Sequence, residues 1–188
     1  GVLAQHTTHI GLACTATSTY EQPFFLARRF ASLDVISGGR AAWNLVTTGN
    51  AAAAQSFGYN EHIDKAIRYS SAHEFAHVVR GLWNSWDADA FVYNKEAGQY
   101  FDPDKLQILE HDGPHYKVRG PLHVPPMPQG EPVLIQAGAS EDGRALAAET
   151  AEVVFGASQT LERAQEFLEG DLPVAVLIRA FRNKTMHA

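Results

Sequence analysis

Residues 9–47, HIGLACTATSTYEQPFFLARRFASLDVISGGRAAWNLVT, decide the fold. The first part, HIGLACTAT (9–17), reads as a buried strand that runs into small hydroxyl residues. The next, QPFFLARRFASLDVI (22–36), puts Phe25, Arg29 and Leu33 on one stripe, with Leu26, Phe30 and Ile36 beside it, which is helical spacing. Ser37-Gly38-Gly39-Arg40 stops that helix, because glycine tolerates the left-handed backbone a helix end needs. AAWNLVT (41–47) then reads as a second strand. Two strands joined by a helix lie parallel, since the crossover carries the chain back to its starting end.

The alternation resumes further along. A polar, alanine-rich loop leads into a long helix at about 65–86. PVLIQA (132–137) is a strand, 141–150 a helix, 152–155 a strand and 160–169 a helix. The strands are apolar at successive positions, which predicts burial on both faces. The fold class is therefore α/β with a parallel sheet, either an open doubly wound sheet or part of an eightfold barrel. Residues 87–130 interrupt the pattern. They hold six of the nine prolines and little helical periodicity, with a small hairpin expected around 115–118. So long a segment reads as a lid or substrate wall, in which His111, His115, Arg119 and His123 face an anionic substrate, or as an irregular solvated insertion.

Composition narrows the class. The chain has 188 residues, 15 basic and 21 acidic, for a net charge of −6, and is 45% apolar. One globular domain is the default. The mild acidity speaks against nucleic acid or an anionic membrane as partner. No apolar run approaches the roughly 18 residues of a membrane-spanning helix. Cys14 is the single cysteine, so no internal disulfide forms and a reducing, cytoplasmic setting is expected. Its place in an apolar strand predicts a packed core residue.

Three features bear on chemistry. His73-Glu74-Phe75-Ala76-His77 matches H-E-x-x-H, in which two histidines one turn apart hold zinc and the glutamate is a general base, as in zinc metallopeptidases. Helical geometry argues against that use. Ala72, Val78, Val79, Leu82 and Trp86 lie within about 60° of Phe75, which leaves His73 and His77 on the opposite, polar face. The extended zinc pattern also fails, since Arg80 and Trp83 stand where Gly and His are wanted, and Glu96 is a distant carboxylate. No metal site is expected. The second feature is Gln136-Ala137-Gly138-Ala139-Ser140, a strand-to-helix turn in which Ser140 is a helix N-cap, Gly138 admits a ligand to the backbone, and free N–H groups favour an anion. It is not a dinucleotide-binding G-x-G-x-x-G, and it reads equally as a plain capped turn. The third is the hydroxyl cluster Thr15, Thr17, Ser18 and Thr19 past the first strand, with Asn44 similarly placed on the second. Carboxyl ends of parallel strands are where α/β proteins bind ligands.

Several stretches together resemble one family. They are Ile10-Gly11-Leu12, then Thr15-Ala16-Thr17-Ser18-Thr19-Tyr20-Glu21-Gln22-Pro23, Leu26-Ala27-Arg28-Arg29-Phe30-Ala31-Ser32-Leu33-Asp34 and 37–47. Arg68-Tyr69, Glu74-Phe75, Val79-Arg80-Gly81-Leu82-Trp83, Arg119-Gly120-Pro121-Leu122 and 132–140 follow in order. The chain resembles the flavin-dependent monooxygenases of the bacterial luciferase-like superfamily, in the branch of the nitrilotriacetate and dibenzothiophene-sulfone monooxygenases. The resemblance implies a (β/α)8 TIM barrel, reduced FMN (FMNH2), and O2 as co-substrate. It implies a separate NAD(P)H:flavin reductase as partner, a flavin C4a-hydroperoxide as oxygen donor, a small organic substrate, and a homo-oligomer. Carried over by position, Thr15 would line the flavin ring, Asn44 would share its pocket, and Tyr69 and Ser140 would contact its phosphate end beside Gly138. Lys65 stands where the family carries His, and His62 lies nearby. No catalytic residue is identified. The resemblance also gives the H-E-x-x-H helix a place on the outer ring of a barrel, with its histidine face toward water.

A complete barrel takes roughly 250 residues. The expectation is therefore that residues 1–170 form the central part of one barrel domain, with an insertion at about 87–130 and an atypical C-terminal tail at 171–188. An inactive barrel fragment is the alternative, and weak FMN binding by the chain alone is expected.

Overall fold

The structure, a computed structural model, describes residues 1–156 and the backbone of 175–178. In chain order its elements are α1 (Val2–His6), β1 (Leu12–Thr17), α2 (Pro23–Ser37), β2 (Ala41–Val46), α3 (Ala53–Ser56) and α4 (Lys65–Trp83). A 3-10 turn (Pro103–Lys105), β3 (His111–Asp112), β4 (Lys117–Val118), β5 (Val133–Gln136), α5 (Glu141–Thr150), β6 (Val153–Gly156) and β7 (Ala175–Ile178) complete them.

Local chemistry sets the boundaries. Pro23 opens α2, where a missing N–H costs nothing. Gly38, at φ 67°, closes it in the left-handed conformation and donates its N–H to the carbonyls of Asp34 and Val35. The Asp64 carboxylate caps α4 by accepting from the Ala66 N–H at 2.8 Å. That helix ends at Trp83, short of the expected 86, because Trp86 turns away to donate from its indole to the Leu122 carbonyl at 2.7 Å.

Five strands form one parallel sheet in the order β1-β2-β5-β6-β7. Helices α2, α4 and α5 form a connected row, α2 against α4 and α4 against α5. All three therefore cover one face, the barrel-type arrangement, where a doubly wound sheet would split them between two faces. Trp43 of β2 centres that interface. It is fully buried, its ring lies 6.0 Å from Phe30, 6.0 Å from Phe75 and 6.1 Å from Trp83, and its indole N–H donates to the Ala16 carbonyl at 3.1 Å. Leu45 and Leu134 extend the same buried row.

Burial departs from the sequence expectation in two ways. In β5 and β6 buried and half-buried residues alternate, so one face is packed under the helices and the other is only partly covered by the described residues. Among the described residues strand β1 lies at the sheet edge, and Ala13, Cys14 and Thr15 are exposed. Cys14 is thus not a packed core residue. It points to the helix side, where only the margin of α2 at Arg29, Phe30 and Leu33 approaches it.

The segment 87–130 has little regular secondary structure, but it is firmly attached. Leu122 and Met127 are buried in the main core, with Leu109, Tyr116, Val118 and Val124 packed against it. The expected hairpin is present as β3 paired with β4. Buried Ser85 ties the segment to α4, donating to the Leu82 carbonyl at 2.7 Å and accepting from the Leu122 N–H at 3.0 Å. The segment's far end is held by the buried Asp34 carboxylate of α2, which accepts from the Gln129 side chain at 2.5 Å and from the Ala41 N–H at 3.1 Å.

The helix expected at 160–169 lies outside the described residues. In the stretch for which the sequence reading gave no element, β7 adds a parallel strand beside β6.

Candidate functional site

The candidate residues gather into two groups, both toward the carboxyl ends of the parallel strands. Thr15 and Asn44 are paired across β1 and β2, and Ile135 of β5 continues their row. In-register neighbours in a parallel sheet share a face, so this row points away from the helices, opposite Trp43 and Leu134. The Asn44 amide donates to the Thr15 hydroxyl at 3.0 Å. Its carbonyl oxygen, Oδ1, is buried without a hydrogen-bond partner among the described residues. Leaving such a group unpaired costs about 1–3 kcal/mol, so Asn44 Oδ1 is an acceptor held ready for a donor from outside the described residues.

The second group stands at the rim, between the first turns of α4 and α5. Ser140 caps α5 by accepting from the Gly143 N–H at 3.2 Å, and its hydroxyl lies 3.3 Å from the Tyr69 hydroxyl. The cap satisfies one N–H of the first turn and leaves those of Glu141 and Asp142 without an intrahelical acceptor. Lys65 is next to them, 5.7 Å from the Tyr69 ring centroid and 2.6 Å from the Asp142 carboxylate. The hydrogen bond that Lys65 donates to Asp142, then the charge of Asp142, raise the Lys65 ammonium above its ordinary value, so it is a fixed cation. Two hydroxyls, two free amides and one ammonium suit a phosphate. Asp142 opposes it, because an arriving phosphate must share Lys65 with that carboxylate.

Gly138 serves a different purpose from the one its sequence position suggests. A Cβ there would meet Gly143 Cα at 2.8 Å and the Gln136 side chain at 3.0 Å. Its N–H is already taken by Gln136 Oε1. The missing side chain lets the turn pack against the first turn of α5, which orients Ser140. His62 does not reach the Lys65 group. Its Nδ1 bonds the Tyr20 hydroxyl at 2.7 Å in a cluster where Tyr20 stacks on Phe57 at 4.7 Å, and its Nε2 is buried without a partner among the described residues.

Two supporting residues escaped sequence reasoning. Buried Arg68 donates to the Thr48 carbonyl at 2.7 Å and to the Ile63 carbonyl at 3.0 Å, fixing the β2–α4 loop behind Tyr69. Thr48 in turn bonds Thr17 at 2.8 Å and donates its N–H to Thr19 at 3.1 Å. The motif Arg68-Tyr69 was visible, but nothing in it said that the arginine serves backbone carbonyls.

The H-E-x-x-H residues do not form a metal site. His73 bonds Glu149 of α5, and Glu74 accepts from His111 Nε2 at 2.9 Å. Among the described residues no three His, Cys, Asp or Glu side chains are placed to hold a metal. Nor does this face look at water throughout. His77 is exposed, but Glu74 is covered by the 87–130 segment, its side chain only 10% exposed.

Comparison with known proteins fits this geometry. Residues 1–170 match the luciferase-like monooxygenase family. The chain is 53% identical to the N-acetyl-S-(2-succino)cysteine monooxygenase of Bacillus subtilis, over 89% of its own length and 38% of that protein. It is 52% identical to nitrilotriacetate monooxygenase component A of Aminobacter aminovorans, over 88% of its length and 36% of that protein. The crystal structure of DmoA from Hyphomicrobium sulfonivorans superimposes with a TM-score of 0.85 at 34% identity, covering 94% of this chain and 41% of that one. The chain thus spans well under half the length of the curated relatives it matches, and its parallel sheet with helices on one face corresponds to part of their barrel. On sequence and on fold, this chain belongs to the luciferase-like monooxygenase family.

Proposed function

We propose that residues 1–170 are the central part of the barrel of an oxygenase component in a two-component, FMNH2-dependent monooxygenase, with the 87–130 segment as an insertion and 171–188 as a separate tail. One atom of O2 enters a small organic substrate and the other leaves as water. The electrons come from NAD(P)H through a separate flavin reductase. A cytoplasmic, homo-oligomeric enzyme is the corresponding setting. Reduced FMN supplies the activation of O2.

The residues of this chain bind and orient that cofactor. Ser140, Tyr69 and the amides of Glu141 and Asp142 take the phosphate, with Lys65 as a point charge in place of the family's histidine. Gly138 holds the turn that aims them. Thr15 and Asn44 face the flavin ring from the interior row, where Asn44 Oδ1 accepts a donor such as a ring N–H. The observation that carries this reading is the convergence of Lys65, Tyr69 and Ser140 on the open first turn of α5.

Fluorescence titration with FMN and riboflavin tests it. A protein with the complete barrel binds FMN about tenfold or more tightly than riboflavin, through the phosphate contacts. Equal affinity for the two would remove Lys65, Tyr69 and Ser140 from the site. The 188-residue chain alone binds FMN weakly, because the described residues cover the interior face only in part, and tight quenching by it would overturn that part.

A further inference from the structure

The sequence signal left over by this function is Glu74, the glutamate of H-E-x-x-H. Its carboxylate is enclosed by a turn of another element. Oε1 accepts from His111 Nε2 and from the Tyr116 N–H, each at 2.9 Å, and Oε2 accepts from the His115 N–H at 3.0 Å. Because Nε2 faces a carboxylate, His111 carries its proton there. The turn between β3 and β4 is shaped around the group. A Cβ on Gly113 would collide with Glu74 Oε1 and with His111 Nε2 at 2.6 Å. Ser70, one turn earlier on α4, bonds His115 Nε2 at 2.9 Å and adds a second tie.

The same turn delivers Tyr116. Its ring meets Phe75 edge-on at 5.5 Å, and its hydroxyl comes within 3.5 Å of the Ser18 carbonyl, immediately past β1. Ser18 is fully buried, with its hydroxyl unpartnered among the described residues. His123 of the same segment meets Phe24 at the start of α2 at 5.5 Å. The insertion therefore reaches the β1–α2 connection, at the strand ends that carry Thr15 and Thr17.

We infer that Glu74 is a positioning residue, a carboxylate latch that docks the β3–β4 turn on α4 and so seats Tyr116 against the β1–α2 connection. A covered carboxylate bound by several N–H groups is costly to release, since both the anion and the N–H groups lose their partners. The latch is proton-sensitive. Burial works against ionisation of Glu74, but the His111 hydrogen bond and the Tyr116 and His115 amides outweigh it and hold the carboxyl below its ordinary value. The titratable groups about it are His111, His115 and Tyr116 on the hairpin and His73 and His77 on α4, with His77 5.8 Å from His111 by ring centroids. One step out are Glu149 of α5, bonded to His73, and the Asp112–Lys117 pair of the hairpin. A group whose folded value is depressed stabilises above its ordinary value, near 4.3 for glutamate, and loses that effect as pH falls through the depressed one.

Hydrogen exchange on the full chain tests the latch without any flavin. In Glu74→Gln, an amide N–H₂ replaces one acceptor, and protection at the His115 and Tyr116 amides falls about tenfold or more, with faster exchange in residues 18–24 as well. Gly113→Ala gives the same pattern from the other partner. Residues 41–46 and the buried face of α4 keep their protection in both. In the wild type, hairpin protection falls in acid before core protection does. Unchanged hairpin exchange in Gly113→Ala and a wild-type acid profile in which hairpin and core open together would overturn the latch, even if Glu74→Gln failed to fold. Hairpin release with residues 18–24 unaffected would overturn the seating of Tyr116. Failure of FMN binding sinks the proposed function and leaves these outcomes untouched.

Discussion

Helix α4 carries two polar patches that look alike in sequence and differ in how they are satisfied. In the middle of the helix, Glu74 is covered, and its lone pairs are filled by His111 and two backbone amides. At the helix start, Lys65 and Tyr69 meet the first turn of α5, where two amides keep no intrahelical partner and the lysine is more than half exposed. A patch whose polar groups are used up internally holds structure together. A patch that keeps donors open to solvent is equipped to take a ligand. The louder motif, H-E-x-x-H, belongs to the first kind, and we propose the quieter Lys65, Tyr69 and Ser140 for the second.

This contrast can be broken most forcefully at the middle patch. Glu74→Ala removes the acceptor for two backbone amides and a histidine, and is expected to lower unfolding free energy by about 2–4 kcal/mol in a denaturant titration. Tyr69→Phe, one turn and a half away, is expected to stay within about 0.5 kcal/mol of wild type. Equal losses in the two would erase the distinction. The next effect lies at the start of α5. Ser140→Ala loses the N-cap, for about 1 kcal/mol of stability, and weakens FMN binding by about 1–2 kcal/mol in a fluorescence titration. A stability loss with unchanged affinity would reassign Ser140 to structure alone.

A smaller effect concerns charge. Lys65→Met is expected to weaken FMN about three- to tenfold at low salt, to leave riboflavin affinity unchanged, and to flatten the dependence of FMN binding on ionic strength. The smallest sharpens the middle patch by pH. The stability difference between wild type and Glu74→Gln is full at neutral pH and shrinks as pH falls below the ordinary carboxylate value, because protonation removes from the wild type what the substitution already lacks. A difference that grew in acid would reverse the sign assigned to Glu74.

Much of the fold was legible because its signals are local. The strands at 41–47 and 132–137 and the helices at 22–36 and 141–150 each follow from short-range apolar spacing and from Gly38 or Ser140 at a terminus. Cys14 was misread for a reason of the same kind. An apolar neighbourhood along the chain says a strand will form, but only sheet order says that β1 is an edge among the described strands and that its cysteine is exposed. The site was half legible. Ser140 was marked by its N-cap position, whereas the roles of Arg68 and Thr48 were not, since their partners are groups brought near only by folding.

By itself, the sequence determined the parallel α/β pattern, the helix caps and the family resemblance, because periodicity and capping are decided by residues within a few positions of one another. Only the tertiary structure decided that the helices share one face, that Gly138 is there for packing against Gly143, and that Glu74 closes on a turn some forty residues away. Burial and hydrogen-bond satisfaction depend on which distant groups meet in space, and no local spacing encodes that meeting.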